Sequence, residues 1–547
     1  MTQVRDDAGL ARGQAHAVVE GRAAVPVAAR RWDLLLALAV VVQAAALTAW
    51  PRVVTVDGPA HLASAAALLH AGDLSHALYR VDSSPVPNLL TTLLLAGLLT
   101  LFGPDGAERA LVLGYALGLP LAMRYALRGV DPRAGWLALV AVPFVGGYLY
   151  TYGFYNLCLG LVGMLVVAGV ALRQHSGWSM RSAVAAGLLL LATWTAHLLP
   201  LLVAGILVGV LALCRVVAAR RGGLRAALTV HLLPPVLAGL PVLALTAVFT
   251  AESADSRGAP VRTSSVGALL GGLLTLGRPL VAWTTREYVG SALVAVALLT
   301  LAVLCRPRRD RSPERAALAL TGLLLTGWYL LSPDRYGPEY GFLNDRLSLF
   351  PPLLLALWSA APPPSRRLGR AAVVVLLVGA TTLIGLRLPT EVRYQRDVAE
   401  LLSVTPDVPR GSTLVALRLW RDAPAGPDAR NRSRDPLRHE AGRIAVLRDA
   451  VDIGHYQAVT PAFPLRFRAD TDPRRVIDPD LQGLQLVPPS VDLAVGPQVV
   501  LLVGRRRAAP DVLAAPPSVR LLGQLESSYR LVATSRRSGL VEVWQRS

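Results

Sequence analysis

Long apolar runs separated by short polar segments fill most of the chain up to residue 388. Runs such as Leu34–Trp50 and Leu232–Thr250 approach the roughly 20 residues that a helix needs to cross a bilayer. One such run could be a buried helix of a soluble domain, but too many occur here for that explanation. The pattern predicts an all-α polytopic membrane protein with about eleven transmembrane helices. We expect these near residues 32–50, 109–127, 136–151, 156–172, 183–198, 200–217, 229–250, 289–305, 316–332, 347–361 and 371–388.

The remaining residues, 389–547, are richer in charge, proline and aspartate and contain short runs typical of β-strands. The runs are Thr413–Leu419, Gln498–Val503 and Leu540–Trp544. A helix is predicted over Glu391–Leu402, and Asp422–Asp435 is predicted to be an exposed loop. About 150 residues suffice for a small core. We therefore predict three parts: a tail (1–31), a membrane domain (32–388) and an α/β domain (389–547).

The composition supports a membrane protein and argues against nucleic-acid binding. Of 547 residues, 53% are hydrophobic and only 17% are charged, against about a quarter in soluble proteins, and the mean hydropathy is +0.47. The net charge of +19 comes entirely from arginine, since the sequence has no lysine. This usage is typical of a high-GC genome. The arginines are scattered among loops instead of gathered on one face, so no nucleic-acid partner is expected.

The distribution of arginine predicts the orientation in the membrane. The loops assigned to the inside hold 22 arginines and those assigned to the outside hold 8 over a greater length, as positive-inside bias requires. The inner loops are 1–31, 124–133, 173–181, 215–225, 306–315 and 366–370, and the outer loops are 51–108, 149–157, 251–287 and 333–346. The N-terminus is thus predicted in the cytoplasm and the C-terminal domain outside a bacterial plasma membrane.

The arginine bias also indicates whether the apolar segment 88–103 crosses the bilayer. If it crossed the bilayer, every later loop would change sides and the arginine bias would reverse. Its 16 residues rise only about 24 Å, less than the roughly 30 Å of hydrocarbon. We predict a juxtamembrane or re-entrant helix near 88–102, which follows another short helix near 58–71. The first outer loop then runs from 51 to 108.

The cysteines and the N-terminal segment give no indication of a disulfide, a zinc site or a signal peptide. The three cysteines, Cys158, Cys214 and Cys305, lie in or at the ends of apolar runs, so neither a disulfide framework nor a cysteine zinc site is expected. The polar segment 1–31 is long for a signal peptide, and the first apolar run is expected to stay as an anchor.

The first outer loop carries the first chemical candidates. Asp57 lies at the start of a helix that Gly58 and Pro59 begin, where an aspartate is also a common helix cap. His61 follows one turn later on the same face, and interfacial packing is its alternative explanation. His70 and His76 are predicted to face solvent. Arg80 and Asn88, later in the loop, are expected to contact substrate.

The order of these features resembles the GT-C superfamily of membrane glycosyltransferases. An acid follows the first span, a proline-containing apolar juxtamembrane helix follows the acid, and Phe102–Arg109 leads into the next span. An arginine-rich turn, a further span and a short outer loop come next. The likeness covers about the first 200 residues, and the arrangement of spans and tail covers the rest. It implies transfer of a monosaccharide from a polyprenyl-phosphate donor on the outer face.

The resemblance also implies roles for residues. Asp57 takes the place of the first-loop acid, which acts as general base on the acceptor or helps bind a metal. The paired acid of some members of the superfamily is missing at this site. The second outer loop, Tyr148–Asn156, has no acid where another member, the catalytic subunit of oligosaccharyltransferase, has one. No cofactor is certain, and a divalent metal stays open.

Further polar residues lie at the predicted outer ends of spans. Tyr152 could stack on a sugar ring and Asn156 could bond its hydroxyls, although a tyrosine belt at the membrane interface explains the same pattern. His197 lies at a span end and is either functional or hydrated.

The loop 333–346 supplies Arg335, Asp345 and Arg346. Arginine suits a phosphate, so Arg346 or Arg335 is expected to bind the lipid phosphate. A surface pair of Asp345 with Arg346 is the alternative. All three are predicted substrate-binding residues.

The combined prediction is an inverting membrane glycosyltransferase with Asp57 as general base. Its partners would be a polyprenyl-phosphate sugar donor, membrane lipids and a glycan, lipid or protein acceptor of the cell envelope. A transporter or flippase of lipid-linked sugars is the main rival, although such proteins usually show repeats and midplane sites. A non-catalytic envelope assembly protein is the third reading.

Overall fold

The structure is a computed structural model of the chain. It describes residues 27–69, 77–82, 84–253, 258–262, 264–306, 312–336, 341–420, 435–469, 493 and 496–547. The expectations for residues 1–26, for His70 and His76, and for the loop 422–434 lie outside these residues.

Helices make up most of the described chain. Their bounds are α1 Val27–Thr48, α2 Gly58–Leu69, α3 Leu89–Val130, α4 Val142–Val145, α5 Tyr148–Tyr152, α6 Tyr155–Leu172, α7 Met180–Ala196, α8 Leu198–Ala219, α9 Leu224–Ala227, α10 Leu233–Glu252, α11 Val266–Leu274, α12 Gly277–Leu280, α13 Tyr288–Leu304, α14 Pro313–Leu331, α15 Leu343–Leu347, α16 Phe350–Trp358, α17 Arg367–Leu402, α18 Ala441–Arg448, α19 Pro510–Ala514 and α20 Pro516–Ser528. The strands are β1 Tyr79–Val81, β2 Pro260–Val261, β3 Arg335–Tyr336, β4 Thr413–Arg418, β5 Val451–Asp452, β6 Leu465–Phe467, β7 Val499–Val503, β8 Tyr529–Thr534 and β9 Val541–Arg546.

Every predicted span overlaps helical structure, and the chain is a multi-pass membrane protein. Within the described residues, eight helical stretches are long and apolar enough to cross a membrane. Three predicted spans are not single regular α-helices. Residues 229–250 begin in the π-helix Leu228–Leu232 and continue in α10. Residues 136–151 form the 3-10 helix Ala134–Ala141 followed by α4 and α5, with Gly146 and Gly147 between them. Residues 347–361 hold the end of α15 and the nine-residue α16, which begins at Phe350 before two prolines.

The long helix α3 contains a kink where the sequence predicted a break. Gly103 has φ 66° and ψ 180°, and Pro104 follows it. Prolines and glycines are the usual cause of such kinks. Beyond the kink, Arg109 donates hydrogen bonds to the carbonyls of Trp50 and Pro51, just after α1 ends. The part of α3 before the kink therefore extends past the end of α1 and belongs with the first loop.

Before the kink, α3 leaves large apolar side chains exposed. Leu93, Leu94, Leu101 and Phe102 are all exposed. A short helix with an exposed apolar surface of this kind is typical of a segment that lies on a membrane.

The loops of the bundle meet at two ends. At one end, Arg173 donates to Tyr125 O, and Arg215 pairs with Glu314 at 2.8 Å. These residues belong to four of the predicted inner loops: 124–133, 173–181, 215–225 and 306–315. The opposite end holds the first loop, the segment around Tyr152 and the C-terminal region, as the next contacts show.

The C-terminal region is built on a five-stranded mixed sheet. Its strand order is β5-β4-β7-β9-β8, with β5, β4 and β7 parallel and β9 antiparallel to both β7 and β8. Alternate residues of β7 point to opposite faces. Val499, Leu501 and Val503 pack with the end of α17, and Val500 and Leu502 pack with α20. The predicted fold, a helical membrane bundle followed by a region with both helices and a sheet, is confirmed.

The first loop and the C-terminal region form one structure. Strand β1 of the loop pairs antiparallel with β6, with Tyr79 opposite Phe467. Helix α18 packs on α2 so closely that a Cβ at Gly442 would lie 2.7 Å from Pro59 O. Contacts between these parts surround the start of α2, where Asp57 lies.

Candidate active site

The backbone at Asp57 is held by the segment that ends α5. Asp57 N donates to Tyr152 O at 2.9 Å. Gly153 has φ +87°, and a Cβ there would approach Asp57 N to 2.7 Å, so only glycine fits without strain. At the start of α2, Gly58 N donates to Thr55 Oγ1 at 3.2 Å. The Asp57 carboxyl lies against the C-terminal region, near His439.

The Asp57 carboxyl is surrounded mainly by residues that sequence reasoning did not single out. Asp57 is only 5% exposed. His439 Nε2 lies 3.6 Å from Asp57 Oδ1, and the Tyr456 hydroxyl donates a hydrogen bond to the carboxyl. The guanidinium groups of Arg438 and Arg346 supply the neighbouring positive charge. The His439 and Tyr456 rings pack 4.8 Å apart.

This environment sets the protonation of the site. Burial raises the pKa of Asp57 to about 7, and Arg438, Tyr456 and Arg346 limit the rise. Burial, together with Arg438, lowers the pKa of His439 well below its ordinary value. The contact between Asp57 and His439 is therefore one of a carboxyl with a neutral imidazole. Near neutral pH, Asp57 exists in both protonation states, as a general base requires.

Aromatic rings form one wall beside this carboxyl. Tyr152 packs against Phe154 at 4.5 Å and Phe342 at 4.8 Å between ring centroids. The Tyr152 hydroxyl accepts a hydrogen bond from Arg438 Nη1 at 3.1 Å. Tyr152 thus joins the membrane bundle to the C-terminal region, and its backbone holds Asp57. Its predicted contact with a sugar ring stays a prediction.

Arg346 is half-buried against this wall. Its guanidinium carbon lies 4.5 Å from the centroid of the Phe154 ring, a cation–π distance. Among the described residues, its Nε has no hydrogen-bond partner. The alternative, a surface pair of Arg346 with Asp345, is not found among the ion pairs of the described residues. Asp345 instead binds Arg278 Nη1 at 3.1 Å in a buried ion pair, so Asp345 fixes the loop and leaves Arg346 turned to the site.

His61 lies on the same side of α2 as Asp57 and belongs to a buried hydrogen-bond chain. Gln457 Nε2 donates to His61 Nδ1 at 3.2 Å, and Ser64 Oγ donates to Gln457 Oε1 at 2.7 Å. Ser64 Oγ also lies 2.8 Å from His455 Nε2. Burial lowers the pKa of His61 to about 4. His61 is therefore neutral and ties α2 to the segment that carries Tyr456.

Asn88 and Asn156 both lie at the start of α3. Asn156 Oδ1 accepts a hydrogen bond from Thr91 N at 3.1 Å, and Asn88 adopts the left-handed conformation with φ 61°. Asn88 Oδ1 and Asn156 Nδ2 are buried without partners in the described part of the chain. His197 begins α8, where its Nδ1 accepts from Leu199 N at 3.0 Å. The roles of all three in substrate binding stay predictions.

Two predicted site residues lie on strand pairs. Arg80 is exposed on β1 opposite Arg466 of β6. Arg335 is exposed on β3, which pairs with Val261 of β2. The structure therefore joins Asp57, His61, Tyr152 and Arg346 through shared contacts, and it gives Arg80 and Arg335 no comparable burial.

The site residues that the sequence analysis did not predict lie far from Asp57 in the sequence. Arg438, His439 and Tyr456 come from a region predicted to be separate from the membrane domain. One signal was available: the segment 437–443 reads Leu-Arg-His-Glu-Ala-Gly-Arg and concentrates charge directly after the polar loop. In the described residues, no three histidine, cysteine, aspartate or glutamate side chains are placed to hold a metal ion.

Comparison with known proteins identifies solved structures with a similar fold. No protein-family model matches the sequence, and no curated protein matches it. Among solved structures, the chain is similar to ArnT from Cupriavidus metallidurans bound to undecaprenyl phosphate, with a TM-score of 0.54, 14% identity and coverage of 94% of this chain and 97% of that one. The apo state of the same ArnT gives a TM-score of 0.50, 16% identity and coverage of 94% and 98%. The chain has the GT-C fold. At this identity the likeness concerns the fold, and it extends over nearly the whole chain, so the C-terminal region with its sheet is part of the GT-C likeness.

Proposed function

We propose that this chain is a membrane glycosyltransferase that moves a monosaccharide from a polyprenyl-phosphate donor to a hydroxyl of a cell-envelope acceptor. One observation carries the proposal: Arg346, half-buried and without a partner for its Nε among the described residues, lies beside the buried Asp57. A carboxyl next to an arginine whose Nε has no bonded acceptor among the described residues suits transfer from a phosphate-linked sugar. The GT-C fold supports the proposal, since one ArnT structure holds undecaprenyl phosphate.

The chemistry assigns one role to each group. Asp57 accepts the proton of the acceptor hydroxyl as its oxygen attacks the anomeric carbon of the donor sugar. The bond between that carbon and the phosphate oxygen breaks, with inversion, and the polyprenyl phosphate leaves. Arg346 binds the phosphate and stabilises the charge that develops on it. The aromatic wall of Tyr152, Phe154 and Phe342 excludes water beside the reacting groups.

The orientation belongs to the same proposal. The arginine-rich loops face the cytoplasm of a bacterial plasma membrane, and the end with Asp57 faces outward. The parts 32–388 and 389–547 then act together on the outer face, with 88–103 lying along the membrane surface. The bacterial plasma membrane supplies the polyprenyl-phosphate donor.

The test is turnover by purified protein in detergent with a short polyprenyl-phosphate sugar. The Arg346→Gln variant should raise the donor KM by about tenfold or more, because it loses a charge-assisted hydrogen bond worth about 1.5–3 kcal/mol. Arg346→Lys should recover part of the loss. Arg133→Gln removes an exposed arginine of a predicted inner loop. It serves as the control and should leave the donor KM near that of the wild type.

Two results would contradict the proposal. A protein that shows no transfer in detergent with any such donor, yet moves lipid-linked sugar across a vesicle, would be a flippase. A donor KM that is unchanged in Arg346→Gln would remove Arg346 from phosphate binding.

A further inference from the structure

The Asp57 carboxyl receives its side-chain contacts from two segments of the C-terminal region. The first, 435–443, carries Arg438 and His439, and the second, 455–457, carries Tyr456. The first loop contributes the backbone and the acid itself. The C-terminal region therefore forms the other half of the site.

A buried ion cluster docks the first of these segments on the first loop. Arg443 is only 1% exposed as a side chain, and its guanidinium contacts Glu108 at 2.8 Å, Asp105 at 2.7 Å and Glu440 at 3.1 Å. Glu108 also accepts a hydrogen bond from the Tyr155 hydroxyl at 2.7 Å. This cluster fixes α18 and the residues just before it against α3.

The second segment is docked by neutral hydrogen bonds. Gln457 reaches His61 and Ser64, and His455 reaches Ser64. The second segment is thus anchored within the first two turns of α2, which begins directly after Asp57, and the first segment is anchored on α3. Any shift of the C-terminal region would move Arg438 and Tyr456 relative to the carboxyl.

The groups that face Asp57 differ in charge. From the C-terminal region come the cation Arg438, the neutral His439 and the hydroxyl of Tyr456, and from α15 comes the cation Arg346. Arg346 is needed for the donor phosphate in the proposed function, so its charge would be neutralised once donor binds. Arg438 is the cation that remains for the carboxylate, and its hydrogen bond to Tyr152 at 3.1 Å holds it there.

We propose that Arg438 is a positioning residue for the base: it keeps the Asp57 carboxylate ionised and, through Tyr152, aligned, so that the C-terminal region completes the catalytic centre. This inference rests on the proposed function for the meaning of Asp57 as a base. Its physical content, the ionisation of Asp57, can be measured without any sugar transfer.

The experiment is carbodiimide labelling of the full chain in detergent as a function of pH, read by mass spectrometry. Carbodiimides react with protonated carboxyls, so labelling of Asp57 should fall as it ionises, with a midpoint near 7 in the wild type. In Arg438→Gln the midpoint should rise by about one pH unit or more, since an adjacent opposite charge shifts a carboxyl by that amount. Arg438→Lys keeps the charge and should bring the midpoint back toward the wild type.

Two controls separate this effect from loosening of the fold. Burial raises the pKa of Asp452 to about 7 as well, and its labelling midpoint should not move in Arg438→Gln. The matched variant Arg410→Gln removes an arginine of the same region, exposed and paired with Asp449, and should leave Asp57 unchanged.

An Asp57 midpoint that stays in place in Arg438→Gln would overturn the inference, as would an equal shift at Asp452 or in Arg410→Gln. Absence of Asp57 labelling at acid pH, with Asp452 labelled, would also count against it. Because labelling needs neither donor nor acceptor, failure here and failure of the proposed transfer are distinguishable. In an active preparation, Arg438→Gln should also move the acidic limb of the rate profile upward while the donor KM stays near wild type.

Discussion

At the scale of residues, the site combines a buried acid with two arginines from different parts of the chain. Asp57 is held through its backbone by Tyr152 and through its carboxyl by His439 and Tyr456. Burial alone would keep the acid protonated at neutral pH, and the arginines bring its pKa back to about 7. The balance of burial and charge is what suits Asp57 to proton transfer.

This balance predicts a pH dependence. The folded pKa of Asp57, about 7, lies above its ordinary value of 3.8, and a general base works only when ionised. The rate kcat/KM should therefore fall as the pH drops through about 7, whereas an ordinary aspartate would keep the rate constant down to about 4. The protonation of Asp57 affects the stability of the fold in the opposite direction. The bound proton stabilises the folded protein below about pH 4, and this stabilisation is lost as the pH rises through about 7. A pH–rate profile with its acidic midpoint near 4 would contradict the account.

The sequence could identify Asp57, because an acid after the first span is visible in the order of residues, but not the groups around it. Arg438 and Tyr456 follow Asp57 by several hundred positions, and only folding brings them to it. The ion pair of Asp345 could not be predicted either, because its partner Arg278 lies on a different loop. Local sequence shows which side chains are polar at a membrane boundary, and not which of them are already neutralised.

At the scale of elements, α3 and α18 are joined by the ion cluster around Arg443. A buried charge that loses its partner is costly, so Arg443→Met should lower the free energy of unfolding by about 3–5 kcal/mol, since Glu108 and Glu440 would remain buried. The measurement is thermal or chemical unfolding in detergent, monitored by circular dichroism.

A control on the same cluster is available. Burial raises the pKa of Glu440 to about 7, and its Oε1 is buried without a partner in the described residues. Glu440→Gln should therefore change stability by no more than about 1 kcal/mol. Equal losses in the two variants would show that the cluster does not depend on the arginine charge.

The ends of helices and strands could be predicted where the hydrophobic pattern and helix-breaking residues indicated the same position. The kink at Gly103 and Pro104 separates the two parts of α3 where length and arginine bias had already separated a short segment from a span. The β-runs of the tail also appear as β4, β7 and β9. The strand β1 was not predicted, because three residues give no pattern of their own and the pairing with β6 is long-range.

At the scale of the whole molecule, the first loop and the C-terminal region form a single unit on one end of the bundle. Composition divides the sequence into a membrane domain and a C-terminal domain, but the residues around Asp57 come from both parts. Helix α17 runs unbroken across residue 389, and β1 pairs with β6. A C-terminal region that completes the site explains why composition alone could not assign its role.

The proposed orientation predicts the accessibility of Ser176. This residue is exposed between α6 and α7, in a loop assigned to the cytoplasm. In a chain without Cys158, Cys214 and Cys305, Ser176→Cys should resist a membrane-impermeant maleimide added to intact cells and react after lysis. A cysteine at Ser84, in the first loop, should react in intact cells. The reverse pattern would contradict the orientation.

The most direct measurement of the central claim is sugar transfer by purified Asp57→Asn. The exchange keeps the size of the side chain and removes its basicity, so the account predicts loss of turnover by about 10²-fold or more, with donor binding close to wild type. Asp449→Asn is the matched control, because Asp449 is outside the site and has φ 51°, which asparagine adopts readily; it should keep full activity. Turnover by Asp57→Asn at the wild-type rate would contradict the assignment of Asp57 as the general base.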